Sequence, residues 1–190
     1  ARVRAGAAEA LGEIGDPGGA AALLRALRAD EAANVRQAAA LALGTCADAR
    51  AAGEAAALLA TESWPAVRAS IIEALGHFDS PEVVSALLSV MADGTRQARV
   101  QAIEALGYAG DTNATVPIIH AVRLDPCESM RSTATRALGL LGDGRARPLL
   151  ERFLTTARAE EAAQALGHIG DPAAVPAILK ALVGPGERLL

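Results

Sequence analysis

VRAGAAEALGEIGDP, running from Val3 to Pro17, holds one helix, its stop and the start of the next. Val3, Ala7, Ala10, Leu11 and Ile14 recur at spacings of three and four, the stripe of an amphipathic helix. Gly15 follows as a residue able to take the left-handed conformation at a helix end. Asp16 then supplies an N-cap oxygen, and Pro17 stands where a helix tolerates a missing N–H. The chain therefore turns within two residues. Gly170-Asp171-Pro172 repeats the turn, Gly110-Asp111 and Gly142-Asp143 keep most of it, and Ala47-Asp48 and Asp79-Ser80-Pro81 are looser versions.

Outward from this stretch, its Leu-Gly pair recurs at Leu11-Gly12, Leu43-Gly44, Leu75-Gly76, Leu106-Gly107, Leu138-Gly139 and Leu166-Gly167, at intervals of 28 to 32 residues. A period in that range means stacked two-helix repeats that bury a face only against their neighbours, giving an elongated molecule with a continuous groove. Seven residues before the Leu stand Arg4, Arg36, Arg68, Arg99 and Arg131, with Ala159 as the departure. One residue before it stand Ala10, Ala42, Ala74, Ala105, Ala137 and Ala165, small side chains where two helices approach closely. Three residues after it, Ile14, Cys46, Phe78, Ala109, Leu141 and Ile169 are expected in the core.

Each second helix carries its own stripe: Leu23, Leu24 and Leu27; Leu87, Leu88 and Met91; Ile118, Ile119 and Val122; Ile178, Leu179 and Leu182. The prediction is a single all-α domain over 1–190, twelve helices in six antiparallel pairs, approximately 1–30, 31–63, 64–94, 95–126, 127–157 and 158–186. Between Leu154 and Leu166 the chain is four residues shorter than the matching stretch in most repeats, which removes about one helical turn. The fifth-to-sixth junction is expected to be distorted. Gly184-Pro185-Gly186 is expected to end the last helix, with Leu189-Leu190 frayed unless the natural chain continues. A start at Ala1, inside a repeat and without Met, points to a piece of a longer protein and limits any statement about targeting.

The pattern VRxxAxxALGxxGDP followed by a Leu-rich second helix resembles the HEAT-like repeat named for the phycobilisome (PBS) lyases, over essentially the whole chain. The resemblance implies a right-handed α-solenoid, with first helices on the convex side and second helices on the concave side. It also implies that the turn Asp of one repeat pairs with the helix Arg of the next: Asp16 with Arg36, Asp48 with Arg68, Asp111 with Arg131. Ser80 ahead of Arg99 lacks the carboxylate unless Asp79 substitutes. Arg36, Arg68, Arg99 and Arg131 are read as structural, because charges repeated along a stack follow from register. A planar guanidinium suits such a bidentate, partly buried contact better than Lys.

Composition bounds the rest. The chain is 52% apolar but only 2% aromatic, so its interior is built from Ala, Leu, Val and Ile. No run of eighteen apolar residues occurs, which excludes a membrane-spanning helix. Seventeen Arg against one Lys is attributed to a GC-rich, bacterial genome. Two cysteines, Cys46 at a core position and Cys127 at a helix start, give no disulfide framework, and a reducing cytoplasm is the expected compartment.

Catalytic and metal signals are nearly absent. His77, His120 and His168 belong to no HExxH, and no Cys pair has metal-ligand spacing. His77 and His168 occupy the same register three repeats apart, roughly 30 Å at ordinary helix spacing, too far to share a metal. Deoxyhypusine hydroxylase, a HEAT-type enzyme family, carries His-Glu dipeptides for iron, and none occurs here. Gly139 to Gly144, GLLGDG, follows a helix rather than a strand and reads as an inter-helix turn. No metal, cofactor or small-molecule ligand is expected.

On the second helices, the position fourteen after the Leu reads Arg25, Ala57, Ser89, His120, Arg152 and Lys180, and seventeen after it Arg28, Ala60, Ala92, Arg123, Thr155 and Val183. With the geometry the resemblance implies, Arg25, Arg28, Ser89, His120, Arg123, Arg152 and Lys180 line the concave groove, basic at both ends and neutral between. The bland reading makes these cations helix-end charges complementing the macrodipole. Against a net charge of −4, the sharper one is a non-catalytic scaffold holding an acidic or extended segment of another protein. A bilin lyase or isomerase subunit is the alternative, with one Trp, one Tyr and Phe78 and Phe153, both expected buried, to clamp a tetrapyrrole. Nucleic-acid binding is the second alternative and finds only a broken basic footprint. Trp64 before Pro65 is expected to staple back on its helix, and Tyr108, two after its Leu, to form a solvated ridge.

Overall fold

The computed structural model describes residues 1–46, 48–125 and 127–183. These form twelve α-helices and, among the described residues, no strand. The first helices of the six repeats are α1 (Arg2–Ile14), α3 (Ala33–Cys46), α5 (Pro65–Leu75), α7 (Arg96–Ala109), α9 (Glu128–Leu141) and α11 (Ala159–Ile169). The second helices are α2 (Ala20–Ala29), α4 (Ala49–Thr61), α6 (Pro81–Asp93), α8 (Thr115–Leu124), α10 (Arg147–Phe153) and α12 (Val175–Val183). The fold is an all-α solenoid. The stop expected at Gly184–Gly186 and the expected fraying of Leu189-Leu190 lie outside the described residues, as does Ala47 of one turn.

The turns follow the sequence rule closely. Gly15, Gly110, Gly142 and Gly170 all take positive φ, between 66° and 78°. After each, an Asp side chain accepts the backbone N–H two residues on: Asp16 from Gly18, Asp111 from Asn113, Asp143 from Arg145 and Asp171 from Ala173, at 2.6 to 2.9 Å. A single 3-10 turn then leads into α2, α8, α10 and α12. Where the glycine is missing, Asp48 and Ser80 cap α4 and α6 directly and no 3-10 turn forms.

Packing inside the repeats comes from the Leu-Gly register. Leu43, Leu75, Leu106, Leu138 and Leu166 are buried, each worth roughly 1.5–3 kcal/mol of apolar transfer. The glycine that follows is where consecutive first helices meet. A Cβ on Gly12 would stand 3.0 Å from Ala42 Cα, on Gly44 3.0 Å from Ala74 Cα, and on Gly139 2.9 Å from Ala165 Cα. The small Ala before one Leu is therefore the partner of the Gly after the preceding Leu, and the two motif positions are one contact.

The chain divides into two compact units, Ala1–Ala109 and Gly110–Leu190. In the first, α1, α3, α5 and α7 pack in succession and α2, α4 and α6 form a second layer. In the second, α9 packs on α11, with α8 against α9 and α10 against α11. Not every expected core position is covered. Val3 and Ile14 are exposed although Val35, Val67 and Cys46 at the same register are buried, because α1 has no preceding first helix against it in this chain. Ile169 and Phe153 are only half-buried, whereas Phe78 is buried as expected. Leu179 and Leu182 of the α12 stripe are exposed.

The fifth-to-sixth junction is distorted. α10 has seven residues against thirteen in α4 and α6, and the chain from Leu154 to Arg158 runs through turns before α11.

Candidate partner-binding surfaces

Of the ladder arginines, Arg36 and Arg68 bind the ends of second helices, with different acceptors from those the resemblance implies. Arg36 donates from Nε and Nη2 to the Glu62 carboxylate at 2.8 and 3.2 Å, and from Nη1 to the carbonyls of Asp30 and Glu31. Arg68 donates to the carbonyls of Leu59 and Glu62. Each guanidinium thus satisfies orphan carbonyls at the end of the preceding second helix. Arg4 holds Asp30 in the register in which Arg36 holds Glu62, twenty-six residues on. Asp30 and Glu62 are the C-cap residues of α2 and α4. Asp16, Asp48 and Asp111 are instead engaged in capping their own turns, which is why the twenty-residue pairing is not made. Arg36 draws the Glu62 carboxyl below its ordinary pKa, as Arg4 does for Asp30.

The seven second-helix positions all sit on exposed surface, in two groups. Arg25 and Arg28 of α2 and Ser89 of α6 belong to the first unit, and Arg28 is already paired with Glu54 at 2.6 Å. His120 and Arg123 of α8, Arg152 of α10 and Lys180 of α12 belong to the second. The three second helices of that unit contain a single carboxylate, Glu151, and Arg147 lies 3.4 Å from it. The remaining cations there have no acid beside them on their own helices.

The charge of the chain is divided just as unevenly. Residues 1–109 carry nine arginines against thirteen carboxylates, and residues 110–190 nine cations against nine carboxylates, so the net −4 falls entirely in the first stretch. Two clefts between first helices of the first unit show where those acids stand. One, of about 560 Å³, is walled by Glu9 and Glu13 of α1 and by Gln37, Leu41 and Thr45 of α3. The other, of about 530 Å³, is walled by Glu73 of α5, by His77 in the turn after it, and by Glu104 and Tyr108 of α7. Tyr108 is thus the exposed ridge the sequence suggests, and it borders a cleft. The signal for both clefts is the pair of positions two before and two after each Leu, which stand on either side of the Gly–Ala contact.

A third cavity was not visible in the sequence pattern. At the short α10, about 290 Å³ is lined by Glu128 and Arg131 of α9, by Arg152 and Phe153 of α10, and by Thr156, Ala157 and Arg158 of the turns that follow. Arg158 occupies the register of Val35, Val67 and Met130, all buried core residues, and is itself 9% exposed. It meets Glu128 and Glu161 through its two terminal nitrogens. Burial works against its charge, and Glu161 and Glu128 outweigh that, leaving its pKa above the usual guanidinium value. Ala159 at the ladder position is thus compensated by an Arg one residue earlier.

Trp64 stands at the N-cap of α5 itself and is 57% exposed, so the place read as a staple presents an open indole face. Among the described residues no three His, Cys, Asp or Glu side chains converge as a metal-binding set. No described helix is long and apolar enough to cross a membrane.

With the repeats and their joints in place, the family of HEAT repeats matches residues 1–44, 20–99 and 87–161, and the PBS lyase HEAT-like repeat matches residues 159–184. The chain is a HEAT-repeat protein. Among curated proteins none matches it. As in any HEAT-repeat array, register explains most of the charges on this one, including the arginines at the joints. The exposed second-helix cations and the α10 cavity of the second unit are what register does not explain.

Proposed function

We propose that this HEAT-repeat protein is a non-catalytic scaffold that holds an acidic, extended segment of another protein on the second helices of residues 110–183. The observation that carries the reading is the charge imbalance of α8, α10 and α12: exposed Arg123, Arg152 and Lys180, with His120 also exposed on α8 and the one carboxylate of those helices beside Arg147. Stacked repeats present successive second helices side by side, a surface suited to an extended chain rather than a small molecule. Clustered cations of one sign steer an acidic partner and fix its register. A tetrapyrrole clamp finds less support, since Phe78 is buried and Tyr108 and Trp64 stand on the other unit.

The test is fluorescence anisotropy with a labelled deca-glutamate peptide at low salt. The wild-type chain binds it, binding weakens as salt rises, and Arg123→Glu with Arg152→Glu lowers affinity at least about tenfold, a loss of about 1.4 kcal/mol. Both side chains are exposed, so the melting temperature stays where it was. No binding by the wild type, or the same affinity in the double variant, would remove these helices as the docking surface.

A further inference from the structure

The cavity at the short α10 carries an inference beyond general attraction for acids. Three arginines line it, Arg131, Arg152 and Arg158, against one carboxylate, Glu128. Arg158 is neutralised, since Glu128 and Glu161 both hold it. Arg131 and Arg152 make no ion pair among the described residues. Arg131 and Arg152 are thus left without a carboxylate of their own, and the three arginines and two carboxylates around this small, partly apolar space leave one net positive charge.

The site is built rather than incidental. Arg158 is nine-tenths buried at a position that holds Val, Ala or Met in the other repeats, and its Nε has no hydrogen-bond partner among the described residues. The turn is set by Thr156, whose hydroxyl donates to the Phe153 carbonyl and accepts from the Arg158 N–H. Phe153 is held half-buried against the cavity by the same turn. α10 stops after seven residues where α4 and α6 run for thirteen, and the turns that follow it line the space.

We infer that this cavity binds a phosphoryl dianion, either free phosphate or the phosphate of a phosphorylated side chain. A phosphomonoester presents three acceptor oxygens to a carboxylate's two, so that one group can meet both Arg131 and Arg152. Arginine forks match those oxygens in paired hydrogen bonds, and partial burial keeps such bonds strong. About 290 Å³ accommodates a phosphate with the β-carbon that bears it but not an extended polymer. The inference deepens the reading of the second helices, on which it rests through Arg152, by placing one fixed point on the path of an acidic segment.

The experiment uses the whole chain and a nine-residue peptide of Gly, Ser and Ala with one central phosphoserine, beside its unphosphorylated twin and inorganic phosphate. The phosphopeptide binds at least tenfold more tightly than its twin, and inorganic phosphate competes with it. Arg131→Gln and Arg152→Gln each cost tenfold or more at unchanged melting temperature, while Arg50→Gln on α4, a 97% exposed side chain, leaves binding as it was. Arg158→Gln serves as a second probe only with a thermal melt beside it, because that residue also holds the turn. Binding of free phosphate without the phosphopeptide identifies the small ion as the occupant. Equal affinity for the two peptides together with no effect of phosphate overturns the inference, even where deca-glutamate still binds; failure of deca-glutamate alone removes the broader surface and leaves the cavity standing.

Discussion

The joint between the second and third repeats and the joint between the fifth and sixth solve one problem in opposite ways. At the first, α4 runs its full thirteen residues and ends at Glu62, and Arg36 and Arg68 meet its last carbonyls and its C-cap carboxylate. The guanidinium is consumed by the backbone and nothing is left over. At the second, α10 stops after seven residues, the turn after it carries Arg158 into a core register, and Glu128 and Glu161 reach in from the surface to meet it. That leaves Arg131 and Arg152 unspent. A regular joint uses its charge for stacking, and the shortened joint leaves Arg131 and Arg152 for the site proposed there.

The largest expected effect breaks the contact common to both joints. Gly139→Val would set side-chain carbons where a Cβ already stands 2.9 Å from Ala165 Cα, forcing α9 away from α11. Overpacking of this kind costs about 3 kcal/mol, and chemical denaturation should show it. Gly6, whose Cβ would meet nothing, is the control: Gly6→Ala should stabilise by about 0.5–1 kcal/mol. A neutral Gly139→Val would mean the helices are free to separate at that joint.

Next in size is the removal of one carboxylate from each joint. The Glu62 side chain is 9% exposed and Arg36 13%, so Glu62→Ala leaves a largely buried guanidinium with carbonyls alone, at a cost of about 2 kcal/mol. Glu161 is 46% exposed, and Glu161→Ala should cost less than about 1 kcal/mol. Equal losses in urea melts would erase the distinction between a joint that depends on its ion pair and one that tolerates losing it.

Much of this was legible because repetition makes each residue's role visible six times. The Leu-Gly core, the left-handed glycines, the capping aspartates and the missing turn were all readable, since each depends on local backbone chemistry or on register. The ladder acceptors were not: Asp16 and Glu62 are both acids near a turn. What decides between them is that Asp16 is taken up by the Gly18 N–H, a local competition that spacing alone does not rank. Arg158 was hidden for a related reason. Reading by register found Ala159 in place of Arg and stopped, although the residue before it had taken the place of a buried valine.

A smaller effect follows pH. Asp143, bound by Arg145 at 2.6 Å and by the Arg145 N–H, has its pKa lowered from 3.8 to about 2, and Arg145 also donates to the Thr112 carbonyl. A carboxyl whose folded pKa lies below its unfolded value adds stability above about pH 4, and that addition is lost as pH falls toward 2. Glu62 is lowered in the same direction by Arg36. Urea midpoints measured between pH 5 and 2 should therefore fall less steeply for Asp143→Asn than for the wild type. Parallel curves would mean that Arg145 does not hold Asp143 in the folded chain.

The smallest expected change in stability is the most instructive. Arg158→Val with Ala159→Arg restores at the sixth repeat the order that Val35-Arg36 and Val67-Arg68 have, apolar residue first and guanidinium second. Valine at 158 enters a place that is buried at Val35, Val67 and Met130 and relieves the desolvation of a charge there. Glu128 and Glu161, 74% and 46% exposed, return to water at little cost. The melting temperature should hold or rise. Phosphopeptide binding should nevertheless fall, because the cavity loses a lining guanidinium and Glu128 is left uncompensated beside Arg131 and Arg152. If stability drops sharply instead, Arg158 is a support for the shortened joint in its own right, and the charge left on its neighbours is a by-product of folding. If stability holds and binding disappears, the burial of Arg158 is a cost the fold carries for the sake of the site.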